Sequence, residues 1–211
     1  MDDTRLLEVL ERSRSLGYLG PGSVRVQVDH ASGFAAGIDD APTRFLDLGS
    51  GGGVPGLVLA WRWPESEAVL LDARERRCAV LREATRDLHL EDRVAVVLAR
   101  AEEAGHRDQL RGSFDLVVAR GFGPPAVTAE CGAPFLRPGG ALMVSEPPED
   151  DNAVARAAGS ARWVPDGLAR LGLAVGRSWT AGYRYQALDQ LTPCPPQYAR
   201  KPGIPAKRPL F

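Results

Sequence analysis

Glycines crowd a short stretch in the first third of the chain, between an acidic residue and a proline. The stretch is Asp47-Leu48-Gly49-Ser50-Gly51-Gly52-Gly53-Val54-Pro55-Gly56. Glycine lets the backbone take positive φ and approach a ligand with no Cβ in the way. A helix predicted over 54–62 would present its free N–H groups and positive dipole end at the same place, which suits an anionic or strongly hydrogen-bonding ligand. The predicted contacts are Asp47, Gly49, Gly51, Gly53 and Val54.

Two ligand classes fit such a loop, and Asp47 distinguishes them. The segment 51–56 also satisfies the dinucleotide pattern G-x-G-x-x-G, and Asp72 follows about 20 residues later, as that pattern expects. A carboxylate at Asp47, however, would repel the pyrophosphate of NAD and attract an ammonium group. S-adenosylmethionine carries an ammonium group, a carboxylate and a ribose. The pattern therefore favours S-adenosylmethionine as the cofactor, with NAD or a plain glycine turn as the alternatives.

Further candidates stand where strands are predicted to end, and the carboxyl ends of strands form the ligand sites of open α/β sheets. Asp72 ends the second strand and could accept hydrogen bonds from a ribose diol. Its alternative role is to cap the next helix. Ala101 and Glu102 follow the third strand and could contact an adenine ring. Glu102 is equally suited to the first turn of a helix, where the dipole favours an acid.

Arg120 ends the fourth predicted strand, at the same rim. Its planar guanidinium could hold a cofactor carboxylate or a substrate phosphate. The alternative is an ion pair with Asp47 or Glu146. Phe122, two residues on, could stack on an acceptor base or simply pack. His30, far from this rim in the sequence, is expected to pack rather than to react.

The pattern of strands and helices after residue 43 predicts a fold that brings these residues together. Short apolar runs alternate with helical segments, and the last two strands join as a hairpin. This predicts an α/β fold of the Rossmann-like class I S-adenosylmethionine-dependent methyltransferase type, a mostly parallel seven-stranded sheet with helices on both faces and a C-terminal antiparallel hairpin. Predicted strands cover 43–48, 67–71, 94–98, 114–119, 141–145, 173–180 and 183–188. Predicted helices cover 3–16, 29–38, 54–62, 74–89, 124–131 and 150–171, and 136–140 is predicted to turn.

The length of 211 residues predicts one domain. Within it, 1–42 should form an N-terminal helical cap, 43–191 the Rossmann-like core and 192–211 a basic, proline-rich, extended tail. The net charge of −1 gives no global attraction to nucleic acid, so any RNA contact needs a local basic patch. The tail offers four RNA-binding candidates, Arg200, Lys201, Lys207 and Arg208.

The cysteines and the hydropathy of the chain indicate the cellular compartment in which the protein is expected. The 3 cysteines are widely spaced and form no C-x-x-C pair, which argues against a disulfide scaffold or a zinc site and for a reducing cytoplasm. No run approaches the roughly 18 apolar residues of a membrane span, and no signal-peptide core follows the acidic first residues. We therefore expect a cytoplasmic monomer with no metal and no membrane contact.

Several motifs together resemble the small-subunit ribosomal RNA methyltransferase G family, formerly glucose-inhibited division protein B. They are Phe45 to Gly56 with its Pro-Gly ending, Leu70-Leu71-Asp72, Ala101-Glu102, Ala119-Arg120, Leu136 to Gly140, and the tail from Tyr198 to Leu210. The resemblance implies methyl transfer from S-adenosylmethionine to guanine N7 of 16S rRNA, free or within the 30S subunit. It also implies cofactor contacts at Gly49, Val54, Ala101, Glu102 and Arg120.

The chain departs from that family in three places. Its N-terminal helical section is short. Val144-Ser145-Glu146-Pro147 stands where the family commonly carries Lys-Gly, and Ala199 stands where proline is usual. The missing lysine removes a cation from the side of the crevice that would face RNA.

Guanine N7 has a lone pair and no proton to remove, so its methylation needs aligned reactants rather than a general base. Alignment alone can lower a barrier by roughly 7–11 kcal/mol. Three alternatives remain open. The acidic run over 146–151 favours a methyltransferase of the same fold that acts on a small molecule or a protein. The other two are a module that binds S-adenosylmethionine without transferring methyl groups, and a nucleotide oxidoreductase.

Overall fold

One sheet organises the protein, and the computed structural model describes it through residues 3–147 and 162–211. The strands are β1 (Arg44–Leu48), β2 (Glu67–Asp72), β3 (Val94–Leu98), β4 (Phe114–Ala119), β5 (Leu136–Ser145), β6 (Leu173–Ala181) and β7 (Tyr183–Gln190). They form a 7-stranded sheet in the order β3-β2-β1-β4-β5-β7-β6. The first five are parallel, whereas β7 runs antiparallel to both β5 and β6. The predicted α/β fold class is therefore confirmed.

Helices cover both faces of this sheet. Those described are α1 (Thr4–Ser15), α2 (Val24–Ala35), α3 (Gly56–Arg62), α4 (Glu75–Asp87), α5 (Ala101–Ala104), α6 (Pro125–Gly132), α7 (Pro165–Ala169) and α8 (Ile204–Lys207), with a 3₁₀ turn at Ala133–Phe135. Side chains alternate along each strand, so β1 contributes Phe45 to one apolar core and Leu46 to the other. The first core packs under α1 to α4 and the second under α5 to α7. The carboxyl edge of the parallel strands stays available for a crevice.

The predicted range of the second helix, 29–38, is wrong, because the helix begins earlier. α2 starts at Val24, directly after Ser23, whose Oγ accepts a hydrogen bond from the backbone N–H of Val26 at 3.4 Å. Serine is a favoured helix cap, and this one fixes the start of the helix. The earlier start brings Gln27 into the helix, where it contacts the candidate site.

The prediction of a turn over 136–140 is also wrong, because β5 already begins at Leu136. Leu136 pairs with Phe114, and the register then shifts so that Ala141 pairs with Leu116. Gly139 has φ of 82°, and a Cβ on Gly140 would lie 2.8 Å from the carbonyl oxygen of Asp115. Glycines here therefore permit an irregularity inside a strand instead of a turn before it.

Two smaller differences concern helix boundaries and the tail. α3 begins at Gly56 rather than 54, after a turn through Gly53, whose φ is 100°. The tail contains α8 and is therefore not extended throughout. The predicted helix over 150–171 lies mostly outside the described residues, and α7 covers part of its end.

Residues 3–147 and 162–211 contain neither a membrane-spanning helix nor a metal-binding cluster. None of the helices there has the length and apolarity needed to cross a lipid bilayer. The same residues contain no group of three or more His, Cys, Asp or Glu side chains arranged to hold a metal ion.

Candidate functional site

The glycine-rich loop, residues 49–53, joins β1 to α3 at the carboxyl edge of the sheet. The backbone N–H groups of Gly49 and Ser50 both donate to the carbonyl of Leu71, each at 2.9 Å, so the loop is tied to the end of β2. Gly49 and Gly51 have φ of 75° and 55°, a region that L side chains rarely adopt. The loop therefore takes its shape from glycine at these positions.

Asp47 lies under this loop, on β1, and is only 1% exposed. Its Oδ2 accepts a hydrogen bond from the backbone N–H of Gly56 at 2.9 Å, which fixes the start of α3. Its Oδ1 is buried and has no hydrogen-bond partner among the described residues. Burial raises the pKa of Asp47 to about 7, the Gly56 bond and the Ser50 hydroxyl oppose the rise, and the Asp72 carboxylate adds to it. The group is therefore partly protonated near pH 7, and a cationic ligand group would favour its charged form.

Asp72 ends β2, as predicted, but both of its oxygens already have partners. Oδ2 accepts from the backbone N–H of Gly51 at 2.9 Å, and Oδ1 accepts from that of Arg74 at 2.8 Å. The Arg77 guanidinium lies 3.6 Å from Oδ2. Asp72 therefore holds the glycine loop and the approach to α4 together, and its second lone pairs remain for a hydroxyl donor.

A cavity of about 110 Å³ opens beside Asp72, between the ends of β2 and β3. Ala101 and Glu102 line it from α5, and Phe122 closes its other side. A Cβ on Gly49 would lie 2.7 Å from the Phe122 ring, so that ring packs directly on the loop. Glu102 is 8% exposed, and its Oε1 accepts from the backbone N–H of Gly203 at 3.0 Å, so it also anchors the tail.

A second cavity, of about 280 Å³, lies on the other side of the glycine loop. Val54 and Arg120 line it, and Tyr18 from the N-terminal cap closes it. A cavity of about 660 Å³ also opens between α1 and α2, but it is lined by none of the predicted site residues. The two smaller cavities meet at Gly49, and together they contact every predicted cofactor residue except the deeper Asp47 and Gly53.

Arg120 follows β4 and makes neither of the ion pairs considered for it. Its Nη2 donates to Oε1 of Gln27, and Gln27 in turn donates to the carbonyl of Pro21 at 2.6 Å. Nη1 of Arg120 is buried without a hydrogen-bond partner among the described residues. Glu146 instead accepts from the Trp163 indole at 2.6 Å and pairs with Arg162. Arg120 therefore keeps the Nη1 amino group available as a donor at the rim.

Sequence reasoning missed one residue that contacts the site from α2, and it left one buried atom on that helix unexplained. Gln27 escaped because the helix start was misplaced, and a Ser23 cap was the available signal. His30 was assigned to packing, and its ring does stack on Tyr183 with centroids 3.9 Å apart. Its Nε2, however, is buried without a partner in the described part of the chain. Burial, assisted by the charge of Arg120, lowers the pKa of His30 to about 4.

The predicted RNA-binding residues fall into two groups. Arg200 donates from Nε and Nη2 to the Glu130 carboxylate, at 2.7 Å and 2.6 Å, and Glu130 is 0% exposed. Lys201, Lys207 and Arg208 are exposed. The structure thus pairs the partly buried Arg200 with the fully buried Glu130 and leaves the other three cations at the surface.

The residues present fit S-adenosylmethionine. The unpartnered Oδ1 of Asp47 suits an ammonium group, and the two cavities that flank the glycine loop leave room for the rest of the molecule. Gly52 and Gly53 serve internal packing, since a Cβ on Gly52 would lie 2.8 Å from the carbonyl oxygen of Tyr18 and one on Gly53 would lie 2.4 Å from Leu57. Cys131 is not a candidate nucleophile in this arrangement, since it is buried on α6 and burial raises the pKa of its thiol.

Comparison with known sequences identifies a family. Residues 28–160 match the family described as rRNA small subunit methyltransferase G. A ribosomal RNA small subunit methyltransferase G from Moorella thermoacetica is 34% identical over 177 residues, which cover 79% of this chain and 69% of that protein. One from Roseiflexus castenholzii is 36% identical over 178 residues, covering 82% and 73%. The aligned part spans only 66% of a Parasynechococcus marenigrum relative that is 34% identical and aligns with 78% of this chain.

Solved structures agree on the fold. An O-methyltransferase from Bacillus cereus in complex with SAH has a TM-score of 0.63 at 16% identity, covering 90% of this chain and 92% of that one. A putative O-methyltransferase from Klebsiella pneumoniae has a TM-score of 0.60 at 15% identity, covering 91% and 92%. At these identities the likeness shows the methyltransferase fold alone.

Proposed function

Because this chain belongs to the rRNA small subunit methyltransferase G family, we propose that it methylates guanine N7 of 16S rRNA, using S-adenosylmethionine. Family membership supports the coarser statement, an S-adenosylmethionine-dependent rRNA methyltransferase. The base, the atom and the 16S molecule are our proposal. The RNA partner is 16S rRNA, free or within the 30S subunit, and the compartment is the cytoplasm.

One observation in the structure carries the choice of cofactor. Oδ1 of Asp47 is a buried acidic oxygen without a partner in the described residues, and it lies directly under a glycine loop. Burying a polar atom unpaired is costly, so such an atom calls for a partner, and its position under the glycine loop makes a ligand the fitting partner here. A carboxylate at this position suits the ammonium group of S-adenosylmethionine and opposes a pyrophosphate.

The chain's own residues would hold the cofactor along the two cavities. Asp47 would bind its ammonium group, and the free N–H of Arg120 would bind its carboxylate. Asp72 would accept from the ribose while it keeps Gly51 in place. Ala101 and Glu102 would border the adenine in the cavity of about 110 Å³. When bound, S-adenosylmethionine supplies an electrophilic methyl group.

The acceptor side of the crevice supports an atom that needs no deprotonation. The charge of Arg120 acts on His30, and a pKa of about 4 makes this imidazole a weak base at neutral pH. Guanine N7 presents a lone pair without a proton. The protein then contributes chiefly alignment, and the packed loop, Arg120 and Phe122 provide rigid walls for it.

The charge around the crevice weakens the small-molecule alternative. That alternative drew support from acidic residues over 146–151, but Glu146 is engaged by Trp163 and Arg162. The rest of the run lies outside the described residues, apart from Pro147. On the tail, the exposed Lys201, Lys207 and Arg208 offer cations for phosphates.

The test is transfer of labelled methyl from S-adenosylmethionine to unmethylated 30S subunits and to naked 16S rRNA. We expect label at a guanine N7, and loss of that label in Asp47→Ala. Label at another atom or base would overturn the N7 assignment. Binding of S-adenosylmethionine without label in either RNA would favour a different acceptor or a module that only binds the cofactor.

A further inference from the structure

His30 carries a buried polar atom to which the proposed function gives no task. Its Nε2 is shielded from water and has no hydrogen-bond partner among residues 3–147 and 162–211. Buried polar atoms in folded proteins are nearly always paired, so this one calls for an explanation. A ligand that enters the crevice would provide it.

The imidazole ring is held in one orientation. It stacks on Tyr183 with an interplanar angle of 6°, and Tyr185 meets it edge-on with centroids 5.9 Å apart. The Tyr185 hydroxyl also donates to the backbone carbonyl of His30 at 2.6 Å. These contacts fix the position of Nε2 before any ligand arrives, as a recognition group requires.

His30 lies on α2, near the part of the rim that Arg120 forms. It is three residues beyond Gln27 on α2, and residues at this spacing share a helix face. Gln27 contacts Arg120, and Arg120 is close enough to influence the charge state of His30. Of the two cavities, the one of about 110 Å³ lies toward β2 and β3, whereas the one of about 280 Å³ reaches Arg120. Tyr183, on which His30 stacks, belongs to β7, beyond β4 and β5 in the sheet, so His30 lies on the β7 side of Arg120. We place the acceptor base on this side.

We propose that His30, in the tautomer protonated on Nε2, donates a hydrogen bond to O6 of the acceptor guanine and so selects guanine over adenine. This assignment rests on the proposed function and names the residue that recognises its base. O6 is the acceptor next to N7 in guanine, whereas adenine carries an amino donor at that position. A neutral imidazole also places no positive charge beside a base that becomes cationic on methylation.

Two variants of His30 form a matched pair that differs by one methylene. In His30→Gln the amide nitrogen reaches the position of Nε2, whereas in His30→Asn it stops near the position of Nδ1. A third variant, His30→Phe, keeps a ring against Tyr183 and removes the nitrogen. Asp29→Asn, at an exposed position on the same helix, is the control. For each variant we would measure methyl transfer to 30S subunits and naked 16S rRNA, S-adenosylmethionine affinity and the thermal midpoint.

We expect His30→Asn and His30→Phe to lower kcat/KM for the RNA on the order of 10–100-fold, the size typical of one lost recognition contact. Affinity for S-adenosylmethionine should stay within about twofold, and His30→Gln should recover most of the activity. The preference for guanosine over adenosine at the mapped position should narrow in the Phe variant. If His30→Asn fails to fold, His30→Phe takes its place as the variant without the donor. If His30→Gln fails to fold, the preference for guanosine in the Phe variant decides.

Two results would overturn the assignment. Equal activity of wild type, Asn and Gln variants would remove His30 from base recognition while leaving the proposed function intact. A wild type that binds S-adenosylmethionine but leaves guanine N7 unmethylated would overturn the proposed function and this assignment with it.

Discussion

Within the described part of the chain, several buried polar groups lack partners at the crevice, but they are paired at the tail attachment, where Glu130 and Arg111 hold the C-terminal tail. At the crevice, Asp47 Oδ1, His30 Nε2 and Arg120 Nη1 lack partners among the described residues. Under the tail, Glu130 accepts three hydrogen bonds from Arg200, counting its backbone N–H. Arg111 donates to four carbonyls, those of Gly105, Cys194, Pro195 and Tyr198.

The difference indicates that the tail attachment stabilises the fold, whereas the crevice is built to bind a ligand. Both regions look alike in the sequence, with scattered arginines and acids. Each unpaired atom at the crevice costs about 1–3 kcal/mol in the free protein, and a ligand can recover that cost. A complete network gains its stability in the free protein and has little left to offer a ligand. Changes in the tail attachment should therefore affect folding, and changes in the crevice should affect binding.

The largest effect is expected from Arg200→Ala. This change leaves the Glu130 carboxylate, 0% exposed, without its guanidinium partner. Removing one partner of a buried pair typically lowers the free energy of unfolding by about 3–5 kcal/mol. Urea unfolding would measure it. Adding Glu130→Leu to this variant should recover a large part of the loss, since the uncompensated charge is then gone. A loss below about 1 kcal/mol would show that the pair does not anchor the tail.

Asp47→Asn should show the opposite pattern. Losing a charge-assisted contact to an ammonium group should weaken S-adenosylmethionine binding on the order of 100-fold. The free energy of unfolding at pH 8 should hold or rise. The reason is that Asp47 has a pKa of about 7, above its unfolded value, so charging it opposes folding as the pH rises toward 7. Calorimetric titration and urea unfolding give the two numbers. A large loss of stability with little change in affinity would reverse the roles assigned to crevice and tail.

The pH dependence of cofactor affinity is a smaller and separate test of the same carboxylate. Binding requires the charged form of Asp47, whose pKa in the free protein is about 7. Affinity should therefore rise as the pH rises through 7 and level off above it, with binding about tenfold weaker at pH 6 than at the plateau. The Asp47→Asn protein should lack this step. An identical slope in both proteins would assign the titration to the ligand.

The sheet and the glycine loop could be predicted from the sequence because their signals are local. Strand periodicity and the positive-φ glycines lie within a few residues of each other. The prediction for residues 136–140 failed because it used only local signals. Pro138-Gly139-Gly140 is typical of a turn, but pairing with the distant strand β4 keeps these residues in β5.

The partners of the charged residues could not be predicted, because they lie far away in the chain. Glu130 and Arg200 are separated by 70 residues, and Glu102 and Gly203 by 101. Whether an arginine is paired or exposed depends on such long-range contacts. The sequence therefore grouped Arg200 with three cations that turn out to be exposed.

The smallest effect is expected from the exposed cations of the tail. It distinguishes these cations from Arg200, which is paired with Glu130. Changing Lys201, Lys207 and Arg208 to Ala should reduce the log–log salt slope of RNA binding by about 2, given roughly 0.7 per single-strand phosphate contact. Folding should be nearly unaffected, because these side chains are exposed. Filter binding across salt concentrations measures the slope. An unchanged slope would remove the tail from the RNA interface. Arg200→Ala, in contrast, should leave the slope nearly unchanged wherever the protein stays folded, because its charge is already paired with Glu130.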